Sequence, residues 1–411
     1  MTDHLKTNES IRAATLKLLA YCQRKEWAGY DPYDALNSKL FAAVPLLDTR
    51  IPRLVLTQAL KRCPVNIRPL LAIPKTENPK GLALFLSALI KLQKLGLQNQ
   101  QELQGLTAFM IERLSAMRSA DVPYWSWGYS FPWQTRTIVV PSGAPNLVCT
   151  TFVATALLEA FDYCGDSRCL DMAVSAAEYI VKELYWREGE EAGFSYPLPA
   201  LRSRVHNANF LAAALLCRVY GHTRDEKFMV HALRVARYSA SKQHPDGSWP
   251  YGEAPSQRWI DNFHTGYNLY ALQDLGRYAA TTEFNGVLQR GYKFYRDHFF
   301  REDGAARYFH DRNYPIDVHS VAQSIITLLK FREMDAGNLA LAHSVLQWAL
   351  AHLWDDRGFF YYRKLKWYTN RISYMRWSQA WMLLAMAELL QVSKEEAVDE
   401  SDTLAACAEH A

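Results

Sequence analysis

The sequence lacks paired cysteines. Its seven cysteines are an odd number, and no two of them form a CxxC motif. Most lie in apolar segments, where a free cysteine behaves as a small buried hydrophobic residue. These features exclude a disulfide-stapled domain and favour a protein of a reducing compartment.

Long apolar runs and a strong charge of either sign are also missing. The first ten residues, MTDHLKTNES, contain no apolar core of a signal peptide, and we find no run of about 18 apolar residues that would span a bilayer. The net charge is only +4, with basic and acidic residues intermixed, which argues against a nucleic-acid partner. We therefore expect a cytoplasmic protein without a transmembrane segment, and peripheral membrane contact stays open.

An internal repeat is the strongest positive signal in the sequence. Five apolar segments resemble one another: NLVCTTFVATALLEAF, VHNANFLAAALLCRVY, DNFHTGYNLYALQDL, DVHSVAQSIITLLKF and YMRWSQAWMLLAMAELL. Equivalent positions are Phe152, Phe210, Tyr267, Gln323 and Gln379, which lie 58, 57, 56 and 56 residues apart. A more distant sixth copy is PKGLALFLSALIKL, which begins at residue 79. A fixed period of this kind predicts one repeated structural unit.

The helices of each repeat differ in their apolar pattern. The repeated segments are apolar on all sides, which is typical of buried helices. Helices with a single apolar stripe lie between them, at Gln101–Met117, Cys169–Tyr185, Lys227–Lys242, Glu283–Phe299 and Leu341–Trp354. Residues 9–24 supply a sixth outer helix that closes the ring. Without closure, the helices at the two ends of the array would leave apolar faces exposed. We predict an all-α (α/α)6 toroid in one domain over residues 1–392, followed by an acidic flexible tail over residues 393–411.

Gly-containing aromatic turns follow the outer helices. They read WSWGYSF, EEAGFSYPL, DGSWPYGE, EDGAARYFHD and DDRGFFYYRK, and their alternation predicts short β-hairpins. Each leads into the N-terminus of an inner helix, so the turns and these N-termini share one end of the ring. We expect a ligand where they converge.

Five residues at this end are the candidate catalytic groups: His264, His319, Asp261, Asp317 and Tyr308. The histidines and aspartates recur near the repeat period, at inner-helix N-termini, so repeat symmetry points them to one mouth. Imidazole and phenol can exchange protons with a sugar, and paired carboxylates can hydrolyse a glycosidic bond. N-capping by the aspartates and hydrogen-bonded packing by the histidines are the alternative roles. No HxH or HExxH motif is present, so we predict no metal and no cofactor.

The candidate substrate-binding residues combine aromatic stacking groups, amides and arginines. An arginine at a sugar-binding mouth would pair with a uronate carboxylate or a phosphate. The set is Trp125, Trp127, Trp133, Arg136, His206, Asn207, Asn209, Trp249, Tyr251, Tyr267, Tyr361, Arg363, Tyr374, Arg376 and Trp377.

The alternating helices, their period and the aromatic turns resemble the six-hairpin toroid superfamily over residues 75–391. That superfamily includes glycoside hydrolases, unsaturated-uronyl hydrolases, polysaccharide lyases and sugar 2-epimerases. The strings WGYSFPWQTR, PNLVCTTFVATALLEAF and DGSWPYGEAPSQRWIDNFHTGYNLYALQDL resemble a poorly characterised family that accompanies bacterial exopolysaccharide biosynthesis genes. Glucuronyl C5-epimerases are a more distant likeness. The histidines at the repeat spacing are similar to the imidazoles of sugar 2-epimerases, which exchange a proton across a carbon.

A second resemblance is local. Gln243, Gly247 and Trp249 match the QW-type turn of prenyltransferase and terpene-cyclase toroids, but only one copy occurs, and the DxDD and DCTAE motifs of cyclases are absent. This argues against cyclase chemistry.

Three functions follow from the sequence. The first is a carbohydrate-active enzyme of bacterial polysaccharide biosynthesis or modification, acting on a glycan or lipid-linked saccharide by hydrolysis, elimination or epimerisation. The second is a non-catalytic glycan-binding or assembly protein, associated peripherally with polysaccharide assembly machinery. The third is a prenyl-binding toroid, which would need an apolar cavity deep in the ring.

Overall fold

Helices make up most of the computed structural model, which describes the backbone of residues 2–97 and 99–409 and the side chains of residues 8–97 and 99–396. Within these ranges the α-helices are α1 (Thr2–Arg24), α2 (Lys39–Ala42), α3 (Arg50–Arg62), α4 (Pro79–Leu95), α5 (Gln100–Ala116), α6 (Leu147–Cys164), α7 (Ser167–Tyr179), α8 (His206–Thr223), α9 (Glu226–Ser241), α10 (Asn262–Tyr278), α11 (Asn285–His298), α12 (Val318–Lys330), α13 (Asn338–Leu353) and α14 (Trp381–Glu409). Short 3-10 turns lie at Asp34–Asn37, Pro45–Leu47 and Pro255–Gln257, and π turns at Ile180–Leu184 and Met375–Ala380.

The strands are two to four residues long and form small antiparallel sheets. They are β1 (Trp133–Gln134), β2 (Val139–Val140), β3 (Tyr185–Glu188), β4 (Glu191–Phe194), β5 (Ile316–Asp317), β6 (Trp354–Asp355), β7 (Phe359–Phe360), β8 (Arg363–Lys364) and β9 (Thr369–Asn370). The pairs are β1–β2, β3–β4, β6–β7 and the three-stranded β5–β8–β9. Three of the five aromatic turns thus contain or adjoin strands. The DGSWPYGE turn contributes one isolated bridge, Gly252 to Val205. The EDGAARYFHD turn contributes isolated bridges, Phe300 to Ala306 and Asp261 to Phe309.

Local signals in the sequence set the ends of the inner helices. Asn146 accepts a hydrogen bond from the backbone of Cys149 and so caps the N-terminus of α6. Gly165 ends the same helix in the left-handed conformation, with φ of +73°. Asn78 caps α4, whose first residue is Pro79.

The inner helices form a closed ring. α4, α6, α8, α10, α12 and α14 each contact the next, and α14 contacts α4. Their outer partners are α5, α7, α9, α11 and α13, while α1 packs on α14. The predicted all-α (α/α)6 toroid is therefore confirmed.

The register of the repeat differs from the sequence alignment at two positions. One side chain from each inner helix lines the central cavity: Leu84, Phe152, Leu211, Tyr267, Gln323 and Trp381. The aligned Phe210 instead contacts Trp249, and Gln379 hydrogen-bonds the backbone of Phe360. The π turn that precedes α14 adds a residue to its first turn and so contributes to the two-residue shift there.

A segment between α1 and α4 covers the mouth of the ring. We call residues 28–76, which contain α2 and α3, the cap. It has a small core of its own, formed by Ala35, Leu60 and Ile73. The repeat did not predict the cap because the cap has no counterpart in the other repeats.

Two sequence predictions concern the termini and the membrane. By length and composition α6 could cross a bilayer, but it is an inner helix of the ring and 61% of that stretch is buried.

α14 continues to Glu409, past the boundary predicted at residue 393. The side chains from 397 onward lie outside the described residues, so the flexible tail stays a prediction.

Candidate functional site

The layer nearest the mouth follows from helix geometry. Residues four positions before the cavity-lining layer share its face of each helix. They are Lys80, Val148, Asn207, Phe263, His319 and Trp377. Three residues of this layer, Asn207, His319 and Trp377, were predicted site residues, and His319 contacts Trp377 with ring centroids 4.5 Å apart. The layer also contains a lysine.

Lys80 is a buried amine at the centre of the ring. Its Nζ lies 3.9 Å from the ring centroid of Phe152, 5.4 Å from that of Tyr267 and 5.3 Å from that of Trp381. No hydrogen bond joins Nζ to another described residue. Burial lowers the pKa of Lys80 well below its ordinary value, and the charge of Arg376 lowers it further. The sequence analysis missed this residue, although a single lysine near the start of an all-round apolar helix was a signal.

Asp261 and His264 form a hydrogen-bonded dyad. The Asp261 carboxylate caps α10 through the backbone N–H of His264 at 3.0 Å, and its other oxygen lies 2.8 Å from His264 Nδ1. Trp259 Nε1 donates to the same carboxylate at 3.0 Å. Since a carboxylate only accepts, Nδ1 carries the hydrogen and Nε2 of a neutral ring keeps its lone pair. The predicted capping and catalytic roles of Asp261 are therefore compatible.

His319 occupies a drier position. Its Nε2 lies 2.6 Å from the Tyr267 hydroxyl, and its Nδ1 is buried without a partner. Burial lowers the pKa of His319 well below its ordinary value, with the charge of Lys80 as the next cause, so the imidazole is neutral near pH 7. His264 and His319 both contact the phenyl ring of Phe263, at centroid distances of 4.1 and 4.5 Å. The structure thus brings the two predicted histidines to one place.

Asp317 is engaged on both oxygens. One accepts from the backbone of His319 at 3.0 Å and from Trp377 Nε1 at 2.9 Å, and the other pairs with Arg363 at 2.8 Å. Unlike Asp261, it does not contact an imidazole among the described residues. Asp317 thus caps α12 and forms a buried ion pair with Arg363.

An open cleft lies beside the dyad. Its empty volume is about 1620 Å³, and its lining includes Trp133, Arg136, Tyr196, Tyr251 and Trp259. Tyr251 stacks on Trp259 with centroids 4.6 Å apart, and its other neighbour is His264 at 4.5 Å. The cleft therefore provides flat aromatic surfaces of the kind that bind sugar rings, and two of its aromatic residues, Tyr251 and Trp259, contact the dyad. Sequence reasoning missed Trp259 and Tyr196.

The cleft also carries positive charge. Arg136 is exposed, its guanidinium lies 5.8 Å from the Trp259 ring, and it forms no ion pair with another described residue. Arg204 lies on the same wall but pairs with Glu191. Arg136 is thus the arginine left free for an anionic ligand.

The tyrosines around the dyad hold their protons at neutral pH. Burial raises the pKa of Tyr251, Tyr267 and Tyr308 well above the ordinary value, and it raises the pKa of Tyr196 to about 12. Each is therefore a hydrogen-bond donor that can give a proton to a reacting oxygen.

Arg376 and Tyr374 face the cap. Arg376 Nε and Nη2 donate to the Asp31 carboxylate at 2.7 and 2.8 Å, and both side chains are buried. The Tyr374 ring lies under the guanidinium of Arg68, 4.9 Å from its centroid, and Tyr33 of the cap contacts Trp377 at 5.5 Å. Arg376, predicted to bind substrate, thus holds the cap on the mouth.

Several predicted binding residues make their contacts outside the cleft. Trp127 donates to Leu114 O, and Trp249 donates to Ser239 O. Trp125 is hydrogen-bonded through its backbone to Ser175. Asn209 forms hydrogen bonds with Phe194 and Ser239, and Tyr361 forms one with Asp355. None lines the cleft. The QW-type turn is likewise structural, because Gln243 hydrogen-bonds Gly247 O and Val287 O.

His206 turns away from the ring. Its Nδ1 lies 3.5 Å from Ser239 Oγ of α9, and its Nε2 is buried without a partner. Burial, with the charge of Lys242 second, lowers the pKa of His206 to about 4.

Acid should therefore destabilise the protein through His206. The folded protein holds this imidazole neutral, whereas the unfolded chain protonates it below its pKa of about 6.5. The folded state therefore loses stability relative to the unfolded state as the pH falls through that value. We expect a loss of about 2 kcal/mol from this group between about pH 8 and pH 5. His206→Gln should lessen the fall in the free energy of unfolding over that range, measured by urea titration. An unchanged pH dependence would contradict the assignment.

A second cavity lies inside the ring below Lys80. Its empty volume is about 820 Å³, and its lining is mostly apolar. Charged groups ring its lower part, including Glu388 with Lys91 and Asp274 with Lys330. These polar groups count against a prenyl chain running through the ring.

Comparison with solved structures identifies the same architecture in sugar-active proteins. Cellobiose 2-epimerase from Bacillus thermoamylovorans B4167 superposes with a TM-score of 0.61 at 11% identity, over 79% of this chain and 90% of that one. Bt3792, a glycoside hydrolase family 76 mannosidase from Bacteroides thetaiotaomicron VPI-5482, gives 0.59 at 11% identity, over 77% and 87%. An unsaturated glucuronyl hydrolase structure with dGlcA-Glc-Rha-Glc gives 0.56 at 13% identity, over 76% and 87%. No family model matches the sequence, and no curated protein matches it. At these identities the likeness shows the fold.

Proposed function

We propose that this chain is a carbohydrate-active enzyme that moves a proton on a uronate-containing glycan bound in the cleft. The observation that carries the proposal is the Asp261–His264 dyad in contact with two aromatic residues that line the cleft, Tyr251 and Trp259. The sugar-active structural neighbours support a saccharide substrate.

The groups around the dyad favour proton transfer at carbon over hydrolysis. Hydrolysis uses two carboxylates, one of which must be free to act as acid or nucleophile. Here Asp261 is bound by His264 and Trp259, and Asp317 is paired with Arg363. An oriented imidazole is instead suited to removing a proton from carbon.

The proposed reaction begins at the carbon that bears the uronate carboxyl. His264 Nε2 takes the C5 proton, and a cation at the site stabilises the charge that builds up on the carboxylate. In an elimination, the electron pair expels the C4 oxygen, which receives a proton from a tyrosine such as Tyr251. In an epimerisation, a protonated tyrosine such as Tyr308 gives C5 a proton on its opposite face, and solvent returns a proton to the tyrosine.

Lys80 is the proposed contact for the substrate carboxylate. An anion beside the amine would restore the charge that burial disfavours, because opposite charges favour each other's ionised forms. Arg136 would bind a second acidic group farther out in the cleft. We place the substrate in bacterial exopolysaccharide synthesis, as a cytoplasmic glycan or lipid-linked saccharide, a setting that the neighbouring genes would test.

The direct test measures three products from one panel of uronate-containing glycans. In D2O the wild-type protein should incorporate deuterium at C5 or release a product with the ultraviolet absorbance of an unsaturated uronate. Reducing ends without either signal would indicate hydrolysis and overturn proton transfer. Binding without any product would indicate the glycan-binding alternative.

Lys80→Met should separate activity from stability. Methionine removes a buried amine that has no hydrogen-bond partner, so we expect an unchanged or higher melting temperature. The KM for a uronate glycan should rise at least about tenfold, equivalent to about 1.4 kcal/mol of binding. Lys94→Met, on the exposed end of the same helix, serves as the control. An unchanged KM in Lys80→Met would show that the lysine does not bind the substrate.

A further inference from the structure

The exposed apolar side chains of this protein are concentrated on one face. Ten of the thirteen large hydrophobic side chains that are exposed among the described residues lie in the cap or at the turn between β8 and β9. The most exposed are Leu46 at 88%, Trp367 at 84%, Leu70 at 76% and Ile51 at 73%. A cluster of this kind on a folded protein marks an interaction surface.

Helix α3 and the β8–β9 turn, which carry Ile51, Val55, Trp367 and Tyr368, lie next to each other. On α3, Ile51 and Val55 are both exposed and stand four residues apart, so they share one face of the helix. The opposite face is buried through Thr57 and Leu60. At the end of α3 the Tyr368 hydroxyl donates to Arg62 O at 3.0 Å, and this contact places the β8–β9 turn with Trp367 beside the helix.

The same face is strongly basic. Residues 39–71 and 363–371 contain ten Lys and Arg, of which three, Arg53, Arg68 and Arg363, are paired with Asp48, Asp34 and Asp317. Five of these basic residues are exposed and form no ion pair with another described residue: Lys39, Arg50, Arg62, Lys366 and Arg371. The charge is thus available to an anionic partner.

Charge and composition together select a lipid bilayer over a protein partner. Lysine is depleted from the core of protein–protein interfaces. Exposed aliphatic residues, a tryptophan and unpaired basic residues on a short amphipathic element are instead typical of surfaces that lie in the bilayer interface.

We propose that the cap and the β8–β9 turn dock on the surface of an anionic membrane. Leu46, Ile51, Val55 and Trp367 enter the boundary between headgroups and acyl chains, while the five basic residues contact lipid phosphates. The membrane contact does not depend on the proposed enzymatic activity. It would place the mouth of the ring at the bilayer surface.

Vesicle binding by the full chain tests this docking. We expect sedimentation with phosphatidylcholine–phosphatidylglycerol vesicles at least about tenfold tighter than with phosphatidylcholine alone, and weaker binding as salt rises. The triple variant Ile51→Ser/Val55→Ser/Trp367→Ser should lose at least about tenfold in affinity. Val230→Ser/Met334→Ser alters two exposed apolar residues elsewhere, each 47% exposed, and should bind like wild type.

Two further measurements make the result decisive. Brominated lipid should quench tryptophan fluorescence, and Trp367→Phe should abolish most of that quenching. Arg62→Glu/Lys366→Glu should remove the preference for anionic vesicles. Absence of vesicle binding at low salt would overturn the proposal. So would a wild-type dimer that the triple variant converts to monomer, because the face would then join two copies of the chain.

Discussion

His264→Gln should lower kcat on the active glycan by about 10²–10⁴-fold. Glutamine retains a polar group beside the Asp261 carboxylate but removes the imidazole nitrogen that takes the proton, and general base catalysis contributes about that much. The measurement is steady-state kinetics on whichever uronate glycan gives a signal in the product assays. His231→Gln on α9, where the imidazole contacts Lys227 O and the Tyr185 ring, is the matched control.

Asp261→Asn separates the capping role from the catalytic one. Asparagine caps helices about as well as aspartate, so the melting temperature should change little. The amide cannot hold the Nδ1–H tautomer as a carboxylate does, so kcat should fall by about 10²-fold or more, by analogy with other oriented imidazoles. Asp225→Asn replaces the capping aspartate of α9 and should leave kcat unchanged. Activity within about threefold of wild type in both dyad variants would refute the dyad as the catalytic centre.

Arg376→Met should be the most destabilising single change on the cap side of the mouth. Asp31 and Arg376 are each 6% exposed and joined by two hydrogen bonds. Removing the arginine leaves a buried carboxylate without its counter-charge, which costs about 3–5 kcal/mol. The free energy of unfolding, measured in denaturant, reports the loss, and cleavage within residues 28–76 under limited proteolysis reports release of the cap.

A double mutant isolates the ion pair from the packing. Adding Asp31→Asn to Arg376→Met removes the stranded charge and should restore part of the lost stability, giving a coupling energy between the two sites. Arg168→Met breaks surface pairs with Asp166 and Glu112 in which the arginine is 63% exposed, and it should leave the free energy of unfolding nearly unchanged. Equal losses in Arg376→Met and Arg168→Met would show that the cap is held by other contacts.

The architecture was accessible from the sequence because its signals are local. An all-round apolar helix recurring every 56–58 residues has to be an inner helix, and a stripe on the intervening helix has to face it. The capping aspartates could be predicted from the sequence for the same reason, because a helix cap involves only the residues of the first turn. Asp261 and His264 are three residues apart, so their contact also follows from local geometry.

Orientation around each helix was decided only by the tertiary structure. Consecutive helical residues point about 100° apart, so a shift of one position turns a side chain from the ring toward the outer helix. His206 and His319 both begin inner helices, yet His206 contacts Ser239 on α9 whereas His319 contacts Tyr267 in the ring. The π turn before α14 causes a similar shift that no alignment of the repeats revealed.

The sequence by itself therefore determined the ring, its period and the end at which the polar residues gather. The tertiary structure decided which of them meet. It brought Lys80 to the centre of the ring, joined Tyr251 and Trp259 to the dyad, and laid the cap over the mouth through Asp31 and Arg376. The physical reason is sequence separation. Helices and caps form from neighbours along the chain, whereas Asp31 and Arg376 are 345 residues apart and meet only after the ring has closed.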